Sequence, residues 1–391
     1  MSKRVGMEVS IAAAEAVALA NVDVIAAYPI TPQTHIVEHL SEIVADGHLD
    51  AEFVPVESEH TAMSCCVGAA AGGARTFTST SSQGYALMSE ICYIASSLRL
   101  PIVMAVANRA LSAPISIWND HADMMMSRDT CWIQTVAENG QEVVDLLFHA
   151  FRTGEDRRVL FPVIVNLDGF ILTHMIEPII LPDQEEVDRY LKPYEPQMRL
   201  DPRNPFTMGP VGMPEVYTEV KKAQDEAFKA SYPVILEAWK EFGDQFGRYY
   251  KPVEAYKTED AETVLVTMGS ISETAMTSID AMRESGKKVG LVRIRLWRPF
   301  PFDDFFDAVK GAKRLVVVDR AMSFSGGCGP VCVEVKSALY DRGHYPYIHN
   351  VLGGLGGRDV TVENFAEMAD DVVRAHETGA PMGYEIINVR E

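Results

Sequence analysis

From residue 8 to about 175 the chain alternates short runs rich in β-branched and other apolar residues with longer amphipathic stretches. Strands need apolar residues in a continuous or period-two run, and helices need them three to four apart. The alternation therefore predicts repeated strand–helix units, which means an α/β fold: an open parallel sheet with helices on both faces. The spacing predicts strands over 24–27, 52–56, 76–78, 102–107 and 162–166, and helices over 9–20, 33–44, 58–71, 85–97 and 140–152. In sheets of this kind ligands sit beyond the carboxyl ends of the strands, so residues just after each strand are where chemistry is expected.

Between residues 178 and 214 stand eight prolines among polar residues, too many for a regular element to absorb. That predicts an extended connector. A helical stretch over 214–250 follows, and then a second α/β set with strands over 264–267, 288–293, 314–318 and 347–351. Its helices are expected near 272–284, 302–309, 327–341 and 362–376. The expected division is thus one α/β domain over 1–177, a Pro-rich connector and long helix over 178–258, and a second α/β domain over 259–391. Single cores rarely grow past about 250–300 residues, so two cores suit the length.

A net charge of -20, from 55 acidic and 35 basic residues without a Lys/Arg cluster, would repel a phosphate backbone and argues against nucleic acid as a partner. The opening residues carry no long apolar run, and no segment approaches the roughly 18 apolar residues of a membrane span. A cytoplasmic protein without membrane contact is expected. The six cysteines contain no Cys-x-x-Cys spacing, so an iron–sulfur cluster held by this chain alone is not expected, and buried reduced thiols are.

Three polar segments follow predicted strands. In Tyr28-Pro29-Ile30-Thr31-Pro32, two prolines fix φ and remove two donors, making a stiff loop that presents Thr31; a plain strand-to-helix turn has the same composition. In Val56-Glu57-Ser58-Glu59-His60, Ser58 can cap a helix and Glu59 lies in its first turn, where the dipole favours an acid. The small-residue run over 62–72 behind it makes a dry, close-packed surround. In Ala107-Asn108-Arg109-Ala110 an arginine stands among apolar residues, and arginine can grip a carboxylate by paired hydrogen bonds; a structural ion pair is the alternative. Ser82-Gln83-Gly84, Asn119-Asp120-His121 and Asp168-Gly169-Phe170 each read as turns.

Together, Tyr28-Pro29-Ile30-Thr31-Pro32-Gln33-Thr34, Glu57-Ser58-Glu59-His60, Thr80-Ser81-Ser82-Gln83-Gly84, Ala107-Asn108-Arg109-Ala110 and Leu167-Asp168-Gly169-Phe170 stand in one order along the chain. In this the chain resembles the alpha subunit of the pyruvate:ferredoxin oxidoreductase family, in its multi-subunit form, over nearly its whole length. The resemblance implies a pyrimidine-type thiamine diphosphate-binding domain followed by a domain like the carboxyl-terminal domain of transketolase. It implies that Glu59 bonds the aminopyrimidine ring as the activating catalytic carboxylate, that Pro29 lies against the cofactor, and that Thr31 and Arg109 contact the 2-oxoacid.

The reaction so implied is the reversible oxidative decarboxylation of pyruvate with coenzyme A to acetyl-CoA and CO2, with electrons passing to ferredoxin. The cofactor carries the electron sink and the protein supplies orientation and charge. Gln33-Thr34 resembles the pyruvate branch of the family, where other branches tend to carry Ser-Ser. The same chemistry on 2-oxoglutarate or a branched-chain 2-oxoacid, and a non-catalytic scaffold, are the competing readings.

One family feature is missing. Thiamine enzymes hold the diphosphate through Mg on a Gly-Asp-Gly stretch followed by paired asparagines, and here only Gly243-Asp244-Gln245 comes near. The resemblance therefore implies that Mg and diphosphate lie on a beta subunit, with thiamine diphosphate shared between the chains. It likewise implies [4Fe-4S] clusters on other subunits, with gamma and delta chains completing the enzyme. The run Gly353-Gly354-Leu355-Gly356-Gly357 could cradle a phosphate such as that of coenzyme A, although tight turns have the same composition.

Overall fold

A computed structural model describes residues 3–380 and 383–390. The chain begins with β1 (Lys3–Glu8), α1 (Val9–Leu19), β2 (Val24–Ala27), α2 (Thr34–Ala45), β3 (Glu52–Pro55), α3 (Glu59–Gly72), β4 (Thr76–Thr80), α4 (Ser82–Ser97) and β5 (Ile102–Asn108). It continues with α5 (Ala122–Met126), β6 (Ile133–Val136), α6 (Gly140–Gly154), β7 (Val163–Asp168), β8 (Ile176–Leu181), α7 (Gln184–Tyr190) and α8 (Pro214–Phe246). The rest comprises β9 (Val253–Tyr256), β10 (Thr263–Thr267), α9 (Ile271–Glu284), β11 (Val289–Ile294), β12 (Leu296–Arg298), α10 (Phe302–Val309) and β13 (Arg314–Asp319). It closes with α11 (Pro330–Tyr340), β14 (Tyr347–Leu352), α12 (Val362–Thr378) and β15 (Tyr384–Ile386).

The first sheet runs β12-β6-β7-β5-β4-β2-β3 and is parallel apart from β12. Its central strand β5 is buried on both faces, which is why its sequence is an unbroken apolar run ending in Asn108. Successive side chains serve opposite layers. Val103 and Ala105 pack with α1, α2 and α6, while Ile102, Met104 and Val106 pack with α3 and α4. Each large apolar side chain buried in this way contributes about 1.5–3 kcal/mol. The second sheet runs β15-β14-β13-β10-β11-β9, parallel apart from β9, with helices again on its faces.

The extended connector needs correction. The segment of eight prolines contains β8, paired antiparallel with β1 so that Pro178 faces Gly6, and α7, which opens on a capping box between Asp183 and Glu186. Pro178 is tolerated because this ribbon has two strands, and a residue on a free edge needs no N–H donor. Strand β8 also crosses the expected boundary at residue 177. The helix expected over 214–250 forms as α8, ending at Gly247 in the left-handed region.

Strand β6 was hidden in the sequence by polar residues inside a buried run. Gln134 donates from Nε2 to the Ser127 carbonyl (3.1 Å), and Thr135 donates to that of Ile164 (3.2 Å). Beyond β6 lies β12, which comes from the second α/β set yet joins the edge of the first sheet. Beside that joint, Arg295 pairs with Glu142 (2.8 Å) and Arg293 with Glu138, all four buried. Short sequence windows carry no signal for such a crossing.

Candidate active site

Four consecutive strands of the first sheet, β5, β4, β2 and β3, end on the segments singled out in the sequence. Arg109 follows β5, Ser82 and Gly84 follow β4, the Thr31 loop follows β2, and Glu59 follows β3. With strands about 4.8 Å apart, the row spans roughly 15 Å. Parallel pairing brings these residues, far apart in sequence, to one edge.

The Thr31 loop is stiffened from below. Gln33 is fully buried, donates from Nε2 to the Tyr28 carbonyl (2.9 Å) and accepts from Ser79 Oγ (3.1 Å), so it pins both ends of the turn. Thr31 and Pro29 are exposed above it. Gly169 lies close beneath: a Cβ there would fall 2.7 Å from Pro32 and 2.4 Å from the Asn108 carbonyl. The glycine of the Asp168-Gly169-Phe170 turn is therefore a packing requirement of the loop.

Arg109 is buried and reaches across to that loop. Its Nη1 donates to the Thr31 carbonyl (2.9 Å) and its Nε to the Ser116 carbonyl (2.9 Å), while Nη2 has no partner among the described residues. No carboxylate neutralises the guanidinium directly, so the structural ion pair weighed for this arginine is absent among the described residues. Burial pulls its pKa below the ordinary arginine value, with Asp123 nearby opposing that shift. A buried, fixed guanidinium with one free amino group is poised to take an anionic oxygen.

Glu59 opens α3, which Ser58 caps by accepting from Thr61 N (3.3 Å). The residue is 6% exposed, and its carboxylate takes no hydrogen bond from any described residue. A buried acceptor in that state needs a donor from elsewhere. Close by, the Thr80 hydroxyl is also buried without a partner among the described residues, and a Cβ on Gly84 would fall 2.5 Å from Glu59 Oε1 and 2.6 Å from Thr80 Oγ1. Gly84 thus leaves the space that the Glu59 carboxylate occupies. Gly84→Ala should displace that carboxylate, at a cost of about 1–3 kcal/mol in stability with activity falling further than stability explains. Equal loss in a matched Ala86→Val control would contradict this.

Two further residues are structural hubs. Asp123, on α5, accepts from the backbone N–H groups of Ser82 and Arg109 (3.0 Å each), and no sequence motif marked it. Asp168, at the end of β7, accepts from His121 Nε2 (2.9 Å), Arg320 Nη1 (2.6 Å) and Ser270 N (2.8 Å), and so bolts the two sheets together. The glycine run after β14 meets the first sheet here too: Gly357 N donates to the Asn119 carbonyl (2.6 Å) and Gly356 N to Asp120 (3.3 Å). Those two amides are committed to a domain contact, which corrects the phosphate-cradle expectation for them. Gly243-Asp244-Gln245 lies in the last turns of α8, where Asp244 pairs with Lys240 and Tyr249.

These features define a protein of two α/β sheets with a buried carboxylate and a buried arginine at one sheet edge. The family described as pyruvate flavodoxin/ferredoxin oxidoreductase, thiamine-diphosphate-binding, matches residues 15–239, and the pyruvate:ferredoxin oxidoreductase core domain II matches residues 261–365. The chain belongs to the pyruvate:ferredoxin oxidoreductase family, as its alpha-type subunit. It is 50% identical to pyruvate synthase subunit PorA of Methanocaldococcus jannaschii over 94% of each chain, and 48% identical to that of Thermotoga maritima over 96% of each. It is 42% identical to ketoisovalerate oxidoreductase subunit VorA of Pyrococcus abyssi, covering 94% of this chain and 93% of that one.

Among solved structures, a 2-oxoglutarate:ferredoxin oxidoreductase from Magnetococcus marinus with 2-oxoglutarate, coenzyme A and succinyl-CoA bound matches with a TM-score of 0.73 at 18% identity. The match covers 95% of this chain and 65% of that one, and at this identity it speaks to the fold. A split-gene transketolase matches with a TM-score of 0.54 at 11% identity, covering 95% of this chain and 99% of that one.

Proposed function

We propose that this chain supplies the substrate-binding and cofactor-activating half of the active site of a pyruvate:ferredoxin oxidoreductase, which converts pyruvate and coenzyme A to acetyl-CoA and CO2. In this reading Arg109 and Thr31 hold the 2-oxoacid carboxylate, Glu59 takes a hydrogen bond from the aminopyrimidine ring, and Pro29 flanks the cofactor. The single observation that carries it is the buried Arg109 guanidinium, fixed on the Thr31 carbonyl with Nη2 free, on the sheet edge that also bears the unpartnered Glu59 carboxylate. Thiamine diphosphate, when bound, supplies the electron sink for loss of CO2. Glu59 holds the proton balance at the ring nitrogen it contacts, and Arg109 orients the carboxylate that is to depart.

A beta subunit would bring Mg and the diphosphate site, and gamma and delta subunits the [4Fe-4S] clusters that pass electrons to ferredoxin. All six cysteines of this chain are free thiols, which supports a reducing, cytoplasmic setting. The test uses the purified complex, with ferredoxin reduction measured on pyruvate, 2-oxoglutarate and 2-oxoisovalerate in parallel. Pyruvate should have the highest kcat/KM; preference for 2-oxoisovalerate would instead favour the branched-chain reading that the VorA relative represents. In the same assay Arg109→Ala should raise the apparent KM for the acid by about 10–100-fold, the worth of one or two hydrogen bonds to a charged group. An unchanged KM would remove Arg109 from the carboxylate site.

A further inference from the structure

We propose that Asp123 is a positioning residue for this site: its buried carboxylate ties the turn carrying Arg109 to the first turn of α4, which walls in Glu59. The acid-binding and cofactor-facing groups are thereby set relative to each other by one side chain. The inference rests on the roles proposed above for Arg109 and Glu59.

The geometry is closed on the protein side. Asp123 Oδ2 accepts from Ser82 N and Arg109 N, both at 3.0 Å, and Oδ1 accepts from Asn108 Nδ2 (2.9 Å) and Met124 N (2.8 Å). The residue is fully buried, so neither substrate nor cofactor reaches it. A second tie runs parallel to the first: Ser82 Oγ donates to the Ala110 carbonyl (2.6 Å). Two residues beyond Ser82 comes Gly84, whose Cα hydrogens face Glu59 Oε1 where a Cβ could not fit. On the other side, the residue whose N–H Asp123 fixes is Arg109 itself, and its guanidinium continues to the Thr31 carbonyl. Arg109, α4 and Glu59 are linked through this carboxylate, Ser82 and Gly84.

The chemistry calls for a carboxylate. Four N–H groups point at Asp123, and only a group with two acceptor oxygens and no donor satisfies all four. Ser82 N and Arg109 N share Oδ2, so an asparagine could keep both on its one oxygen, whereas alanine removes both oxygens and releases the two tied turns together. A displacement of about 1 Å at groups of this kind is enough to cost on the order of 100-fold in rate or binding.

The experiment uses the assembled multi-subunit enzyme carrying Asp123→Ala, with Ser82→Ala as a milder variant that leaves Asp123 in place and removes the hydroxyl's bonds to the Ala110 carbonyl and to Gln83. Apparent KM for pyruvate, the half-saturating concentration of thiamine diphosphate, kcat and melting temperature are measured for each. Asp123→Ala should raise both half-saturation constants, by about 10–100-fold, because both tied turns lose their common acceptor. Ser82→Ala should raise the same two constants in the same direction by less.

A merely structural role gives a different pattern, in which melting temperature falls while both constants stay at wild-type values, and that result overturns the proposal. If Asp123→Ala does not assemble, wild-type constants in Ser82→Ala overturn it. A wild-type complex that reduces ferredoxin with none of the 2-oxoacids would instead defeat the functional reading on which the proposal rests.

Discussion

Glu59→Gln is expected to lower turnover of the assembled enzyme on the order of 10³-fold, within the range for loss of a proton-handling group, while subunit assembly is unchanged. The reason lies in how the residue is held. Glu59 is nearly buried, makes no side-chain hydrogen bond among the described residues and stands in the first turn of a helix that Ser58 caps without it. A side chain that contributes no internal bond can lose its charge with little effect on folding, so the substitution isolates chemistry from stability. Glutamine has the same shape and clears Gly84 as the glutamate does, and it cannot accept or return a proton. Turnover within a few-fold of wild type, with thiamine diphosphate bound, would remove Glu59 from the activating role.

Asp168→Asn is expected to cost about 3–5 kcal/mol of stability, because it leaves the buried Arg320 guanidinium without its counter-charge. Burial alone would raise the pKa of Asp168, but Arg320, His121 and Ser270 outweigh burial and hold the carboxyl well below its ordinary value of 3.8. The sign of the pH dependence follows. With the folded-state pKa depressed, the contribution is fully present above an ordinary carboxyl pKa and is lost as pH falls below about 4. Urea unfolding of wild type and variant should therefore differ most at neutral pH and converge toward low pH. A gap that stays constant from pH 7 to pH 3 would show that the charge is not what matters. The defect should also reach function, since Gly169 next to Asp168 supports Pro32 under the Thr31 loop.

The two hubs show where reading the chain stops. Strands such as β5 were legible because a strand buried on both faces must be apolar throughout, and the cap at Ser58 was legible because capping is a matter of four neighbouring residues. The placing of Thr31, Glu59 and Arg109 at strand ends was legible because each follows an apolar run short enough to be a strand. Gln33 was noted as a branch marker, and only the packing reveals it as the pin of the loop. Asp123 stood in no motif and Asp168 in a plain turn, since their partners Ser82, Arg320 and Ser270 lie 41, 152 and 102 residues away.

By itself, then, the sequence determined what local physics determines: the alternation of elements, the helix start at Glu59, the stiff loop at Thr31 and the lack of a complete diphosphate motif. The tertiary structure decided the rest. It ran β12 onto the first sheet, turned part of the Pro-rich stretch into β8 and α7, committed two amides of the glycine run to a domain contact, and joined the Arg109 and α4 turns through Asp123. Each of these depends on which distant segment supplies the partner for a buried polar group, and composition and periodicity hold no information about that choice.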